Sequence, residues 1–300
     1  MKNSYPLLLD GGLSNQLEHQ GYDLNHPLWS ARLLETDPAA IIEAHLAYLK
    51  AGAECIITAS YQASIQGFME LGHDREYAAR MIVKTVALAE EAIQLFMKSQ
   101  SRVARPLIAA SIGPYGAYLA DGSEYRGNYG VSDAVLKAFH QRRIALLAHS
   151  SADLLACETI PSFQEAKVLG EILRGINKPA WISFSCKDAQ HIHDGTPITA
   201  CGKLFALHPH VFAIGINCTA PRHISGLIQA LKPMVGDKKI VVYPNSGEVY
   251  HAASKSWSGL SGLATCEEMA NTWLKLGASM IGGCCRMGPS HIEAMGRGMR

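Results

Sequence analysis

Eight apolar runs without polar alternation divide this chain, at 7–9, 55–61, 106–111, 153–158, 180–184, 211–217, 240–243 and 279–283. A strand with one face in water alternates apolar and polar residues, so unalternating runs belong to strands covered on both faces, as in an all-parallel sheet packed by helices. Most of the runs are followed by a helical stretch. Asp37 and Pro38 supply an N-cap and a first-turn proline; Ile41, Ile42, Leu46 and Leu49 then recur at helical spacing until Ala51-Gly52. Residues 74–97 predict a long helix with Val83, Val86, Ala87 and Ile93 on one side, and further helices are expected at 132–149, 162–174 and 265–276 and from Pro221 and Pro289 onward. Eight such units in 300 residues match a single (β/α)8 barrel over 1–300 better than an open doubly wound sheet. A doubly wound dinucleotide-binding fold would also place G-x-G-x-x-G after the first strand, where this chain reads Asp10-Gly11-Gly12-Leu13-Ser14-Asn15.

Composition narrows the function. With 27 basic against 26 acidic side chains and no Lys/Arg run, the chain carries no electrostatic footprint for nucleic acid. The apolar run at 7–9 is too short for a signal-peptide core, and no stretch reaches the ~18 apolar residues of a membrane span, so a soluble cytoplasmic protein is expected. Its eight cysteines are then expected as reduced thiols, with metal binding or catalysis as their special uses.

In a (β/α)8 barrel the residues just after each strand meet at one mouth although they are far apart in the chain. Here they are Asp10, Ser60-Tyr61, Ser111, Glu158, Asn217-Cys218, Asn245 and Cys284-Cys285. Adjacent cysteines within a strand would point to opposite faces, so Cys284 and Cys285 can share a site only where the strand has ended; Gly282-Gly283 before them allow a bend and a close approach. Cys218 joins them only through the fold, since no local C-x-x-C spacing is present. Three thiolates with one position open describe a zinc site that binds a reactant, and such an electron-rich site suits holding a substrate thiol as a nucleophilic thiolate. Cys186, two residues past the fifth run, is a weaker rival ligand, while Cys55, Cys157, Cys201 and Cys266 are expected to be structural, Cys157 under the helices if Glu158 faces the mouth. Asp10 and Glu158 would suit an ammonium group, with backbone donors or Asn245-Ser246 for a carboxylate. His191, His193, His208 and His210 are expected to be solvated loop residues. The long loop 112–129, rich in Gly and Tyr, is expected to be ordered, its tyrosines either packing together or closing over a cationic ligand.

These residues, in Leu9-Asp10-Gly11-Gly12, Asn217-Cys218 and Ile281-Gly282-Gly283-Cys284-Cys285, resemble the homocysteine S-methyltransferase family over nearly the whole chain. The segments 113–127 and 243–248 look like its bacterial branch that uses S-methylmethionine. The resemblance implies a zinc-dependent barrel with one Zn²⁺ per chain on Cys218, Cys284 and Cys285. It also implies homocysteine-binding acids at Asp10 and Glu158, and a site tyrosine at Tyr61. Partners would be homocysteine and a sulfonium methyl donor, S-methylmethionine or S-adenosylmethionine. Selenocysteine as acceptor, betaine as donor, or a non-catalytic zinc-binding or redox-sensing barrel with a Cys284–Cys285 disulfide remain as alternatives. The oligomeric state is not set by the sequence, and a monomer is compatible with it.

Overall fold

The computed structural model describes residues 6–24, 29–100, 104–251, 256–258 and 263–300; residues 1–5 of the N-terminal segment lie outside them. Eight parallel strands carry the fold: β1 (Leu7–Leu8), β2 (Cys55–Ile57), β3 (Leu107–Ile112), β4 (Leu154–Ile160), β5 (Ala180–Phe184), β6 (Val211–Asn217), β7 (Lys239–Tyr243) and β8 (Met280–Ile281). They lie in the order β1-β8-β7-β6-β5-β4-β3-β2. A parallel bridge from Leu9 to Cys55 joins the two end strands, with the Asp10 N–H donating to the Cys55 carbonyl at 3.1 Å, and the sheet closes as a (β/α)8 barrel. A short antiparallel pair, Val249–His251 with Ser256–Ser258, lies outside it.

Strand alternation sorts the apolar residues into two cores. Leu7, Leu9, Ala109, Leu154, Ala156, Trp181, Ala213, Val241, Tyr243 and Met280 fill the barrel interior. Their neighbours Leu8, Ile56, Ile108, Leu155, Cys157, Ile182, Ile214, Val242 and Ile281 belong to the larger core shared with the helices. Both faces are therefore dry, which is why the runs do not alternate. Inside the barrel, Trp181 stands in register with Ala156 on one side and Ala213 on the other, so two small residues make room for the largest.

Four of the expected helix starts carry side-chain caps: Asp37 accepts from Ala40 N–H, Asp74 from Tyr77 N–H, Ser132 from Val135 N–H and Ser162 from Glu165 N–H. On the long helix Arg75–Ser99, however, the buried stripe runs through Ile82, Val86, Ala89, Ile93 and Phe96. Val83 and Ala87 face outward, because the stripe is set by the helix it packs on, Pro38–Lys50, rather than by the bulkiest side chains.

Several strands end where the mouth begins, and not where the apolar runs end. β2 stops at Ile57 because the Asp10 carboxylate takes its N–H at 2.8 Å, and Thr58 and Ser60 then turn toward each other. β4 runs on to Ile160 through an irregularity after Cys157, with Thr159 in the left-handed region at φ 58°. Among the described residues no helix is long and apolar enough to cross a membrane.

Candidate active site and metal centre

At the C-terminal mouth, the end of β1 and the end of β8 are built against each other. The Gly283 N–H donates to the Asp10 carbonyl at 2.9 Å and the Gly12 N–H to the Met287 carbonyl at 3.0 Å. A Cβ on Gly12 would sit 2.6 Å from the Cys284 carbonyl oxygen, and one on Gly282 would sit 2.7 Å from the Asp10 carbonyl oxygen. Neither Gly282 nor Gly283 has a positive φ; the left-handed residues near the thiols are Cys218, at φ 47°, and Arg286, at φ 63°. The glycines before the cysteine pair therefore serve close approach, and the expected turning freedom is taken elsewhere. The segment after β7 completes the brace: the Cys284 N–H donates to the Pro244 carbonyl at 2.7 Å and the Ser246 N–H to the Cys285 carbonyl at 3.1 Å.

This frame brings three sulfurs together. The Sγ atoms of Cys218, Cys284 and Cys285 all lie within 4.8 Å of one another, and it is the one such group of possible metal-holding side chains among the described residues. Cys218 and Cys285 Sγ are 3.5 Å apart. A tetrahedral zinc with Zn–S of about 2.3 Å spaces its sulfurs ~3.8 Å apart, so the donor set and its spacing fit that ion. The electrostatics fit as well. Hydrogen bonds from the Cys218 and Cys284 thiols hold the Cys285 sulfur well below the usual thiol range, while Cys284 is pushed up by its sharing with Cys218 and Cys285 and by burial. Three thiols this close ionise together only around a cation. All eight cysteines are free of disulfides, and Cys186 is buried apart from the cluster, its thiol toward the Phe184 carbonyl. Cys157 packs under the helices, on the side opposite Glu158.

A cleft whose free space is about 740 Å³ when its open mouth is included lies over the sulfurs. Glu158, Tyr61, Thr159, Tyr243, Glu124 and Tyr125 line its wall, and Gly11 and Gly12 its edge. Glu158 is 6% exposed. Its Oε1 accepts from the Ser111 hydroxyl, the Tyr243 hydroxyl is a second donor, and burial pushes the carboxyl up to about 7. Burial also raises Asp10 well above the carboxylate range, with Glu158 adding repulsion. Asp10 sits beneath the cleft; its Oδ2 accepts from Ile57 N–H, whereas the buried Oδ1 has no partner among the described residues. Tyr61 is half-buried, bonds Thr159 through its side chain, and is raised by burial.

Two of the expected site residues stand behind the wall. The Asn217 amide oxygen accepts from the Thr159 N–H at 2.7 Å and from the Ser183 hydroxyl at 2.8 Å, its nitrogen donates to the Thr159 hydroxyl at 2.7 Å, and the same nitrogen lies 3.9 Å from Cys284 Sγ. Its role is to hold Thr159 and, through it, Glu158. Asn245 is outside the cleft lining, with its Oδ1 accepting from Gly247 N–H at 3.0 Å in a turn.

The loop after β3 separates into two functions. Tyr115 and Tyr118 pack on Phe139 with ring centroids 5.1 and 5.4 Å away, and Tyr129 donates to Glu165 at 2.9 Å. Buried Glu165 also accepts from Tyr115 N–H and pairs with His140, so these tyrosines anchor the loop. Tyr125 instead points at the thiols, its hydroxyl 3.3 Å from Cys218 Sγ, and His193 packs edge-on against its ring at 5.6 Å. His193 is thus half-buried beside the site. His208 is also buried, its Nδ1 accepting from the N–H groups of His210 and Val211 at the start of β6. Flanking proline and loop position point to solvent for both; His208 is drawn in by the backbone donors it caps and His193 by the Tyr125 ring, neither of which the local sequence reveals. Glu124 and Thr159 had no sequence signal, being one loop residue and one strand residue among many; Thr159 could have been suspected only as the polar neighbour of Glu158.

A family model described as homocysteine S-methyltransferase matches residues 7–299. Homocysteine S-methyltransferase YbgG of Bacillus subtilis is 47% identical over 296 residues, covering 97% of this chain and 94% of that protein. The homocysteine S-methyltransferase of Escherichia coli is 44% identical over 293 residues, covering 96% and 94%. The crystal structure of the homocysteine methyltransferase MmuM from Escherichia coli in its metallated form superposes with a TM-score of 0.87 at 41% identity, covering 97% of this chain and 95% of that one. By family match, by relatives along its whole length and by fold, the chain belongs to the homocysteine S-methyltransferase family.

Proposed function

We propose that this enzyme transfers a methyl group from a sulfonium donor, S-methylmethionine or S-adenosylmethionine, to the sulfur of homocysteine, giving methionine, with one zinc on Cys218, Cys284 and Cys285. The observation that carries the reading is the convergence of three thiols from the ends of β6 and β8 under a small-molecule cleft that also holds Glu158. Zinc bound there would supply a fourth, open position at which a substrate thiol gives up its proton at neutral pH and stays nucleophilic.

The chain's own groups then have binding and alignment to perform. Glu158, oriented by the Ser111 and Tyr243 hydroxyls, and the unpartnered oxygen of Asp10 are suited to the homocysteine ammonium group, whose positive charge offsets the cost of burying them. Asn217 keeps Thr159 and Glu158 in place. In the transfer the methyl carbon's bond to the donor sulfur breaks with its electron pair left on that sulfur, and a bond to the homocysteine sulfur forms. Opposite charges cancel, so the apolar and aromatic wall favours the transition state over the separated ions. In-line approach of the two sulfurs is the main remaining task.

The reading is tested by methionine formation from homocysteine and each sulfonium donor, with and without a chelator, alongside metal content. About one zinc per chain, lost together with methyl transfer in Cys218→Ala, is the expected result. A metal-free protein that is folded and fully active would overturn the zinc assignment, and zinc-replete protein inert with every sulfonium donor would overturn the donor class.

A further inference from the structure

The cleft holds a third carboxylate that the reading above leaves unused. Glu124 lies on its wall, and the Glu124 Oε2 atom is buried with no partner among the described residues. Arg126, two residues on, forms no bond to it: its guanidinium is turned to the Asp121 carboxylate at 3.0 Å, the Asp121 carbonyl at 3.1 Å and the Ser123 hydroxyl at 2.8 Å. The backbone at Glu124 is also fixed. Its carbonyl accepts from the Ser185 hydroxyl at 3.3 Å, and Gly116 lies so close that a Cβ there would be 2.5 Å from the Glu124 nitrogen. The next residue, Tyr125, touches Cys218 Sγ, and Glu124 lines the same cleft as Cys218, Cys284 and Cys285. Glu124 as a whole is half-buried, but a carboxylate oxygen shut off from water without a partner is costly, and a cationic ligand reduces that cost.

We propose that Glu124 recognises the positively charged sulfur of the methyl donor and selects sulfonium donors over neutral thioethers. The proposal rests on the methyl-transfer reading above and adds to it the group that sets donor class. Its consequence is kinetic. The attraction is full in the bound donor and fades as the sulfonium charge is neutralised in the transition state, so Glu124 lowers the donor KM without raising kcat. The same attraction is absent for the neutral thioether product, which favours its release.

The test compares binding of S-methylmethionine with its neutral carbon isostere, 2-amino-5-methylhexanoate, by calorimetry on zinc-loaded wild type, Glu124→Gln and Glu124→Asp, together with steady-state kinetics. Wild type should prefer the sulfonium by about tenfold or more, and Glu124→Gln should nearly erase that preference. Donor KM should rise by about tenfold in Glu124→Gln with kcat unchanged or higher and homocysteine KM unchanged, and Glu124→Asp should restore part of the discrimination. Equal binding of the two ligands by wild type, undiminished preference in Glu124→Gln, or a rise confined to homocysteine KM would each overturn the proposal. Failure of wild type to form methionine would instead sink the methyl-transfer reading, while the binding comparison would still decide the role of Glu124.

Discussion

Replacing Asn217 by alanine removes the one side chain that ties Thr159, Ser183 and the Cys284 sulfur into a single frame. Asn217 is 0% exposed, so no water takes over its bonds without entering the core. Ser183 has an alternative partner, the Tyr243 hydroxyl at 2.6 Å, and can redirect its proton. The Thr159 N–H has none, and an orphaned buried donor costs about 1–3 kcal/mol. Loss of the amide volume adds roughly 1 kcal/mol of cavity cost. The sum is about 2–4 kcal/mol, and with about 2–4 °C of Tm per kcal/mol for a chain of this size class the melt should fall by roughly 4–16 °C. Thr159 is β-branched and held at φ 58°, a conformation that costs about 1–2 kcal/mol by itself. Once Asn217 is gone, Thr159 is expected to relax and carry Glu158 with it, so homocysteine KM should rise more than donor KM. Urea unfolding of the metal-free protein separates this from metal linkage. A double-mutant cycle with Thr159→Gly isolates the coupling, which should exceed about 1 kcal/mol. Additivity within ~0.5 kcal/mol, or an Asn217→Ala melt indistinguishable from wild type, would refute the idea that Asn217 holds the strained residue.

Two further perturbations probe other parts of the molecule. Gly12→Ala places a Cβ 2.6 Å from the Cys284 carbonyl oxygen; it should displace the cysteine pair and weaken zinc binding by about 10- to 100-fold, read by competition with a chromophoric chelator, and unchanged affinity would show that the contact is absorbed elsewhere. His45 is fully buried, both ring nitrogens lack partners among the described residues, and burial lowers it to about 4. Its unfolded value is about 6.5, so the unfolded chain takes up a proton first and about 3 kcal/mol of stability present above pH 6.5 is lost as pH falls toward 4. The loss should be missing from His45→Leu in a series of melts between pH 7 and pH 4.

What could be read in the sequence and what could not divide along a physical line. Dry strands announce themselves through unalternating apolar runs, and helix starts through the helical period; Asp37 caps as expected, and Asp74, Ser132 and Ser162, where helices are expected to begin, prove to be caps as well. The three thiols followed from the fold, since strand ends of a closed barrel must meet. Contacts that depend on which loop residue turns inward were not legible: Tyr125 reaches the Cys218 thiol while Tyr115 and Tyr129 bind Glu165, and nothing in their local sequence distinguishes them. Asn217 and Asn245 both end strands, yet one became part of the frame and the other closed a turn, because a side chain's role is set by which backbone donors lie unpaired nearby.

The glycine pairs carry this argument one step further. Asp10-Gly11-Gly12 and Gly282-Gly283-Cys284 are separated by almost the full chain, but one glycine of each pair faces the other segment: a Cβ on Gly12 would strike Cys284, and a Cβ on Gly282 would strike Leu9 and the Asp10 carbonyl, while Cβ atoms on Gly11 and Gly283 would both meet Met287. β1 and β8 are two-residue strands with little ladder of their own, so their ends are held by the reciprocal backbone bonds Gly283 to Asp10 and Gly12 to Met287. The carboxylate under the cleft and two of the three sulfurs are therefore positioned by one seam. A perturbation on either side of that seam should disturb both groups together, appearing as a joint loss of zinc affinity and homocysteine binding, whereas Glu124, carried on a loop anchored by Glu165, should answer independently of it.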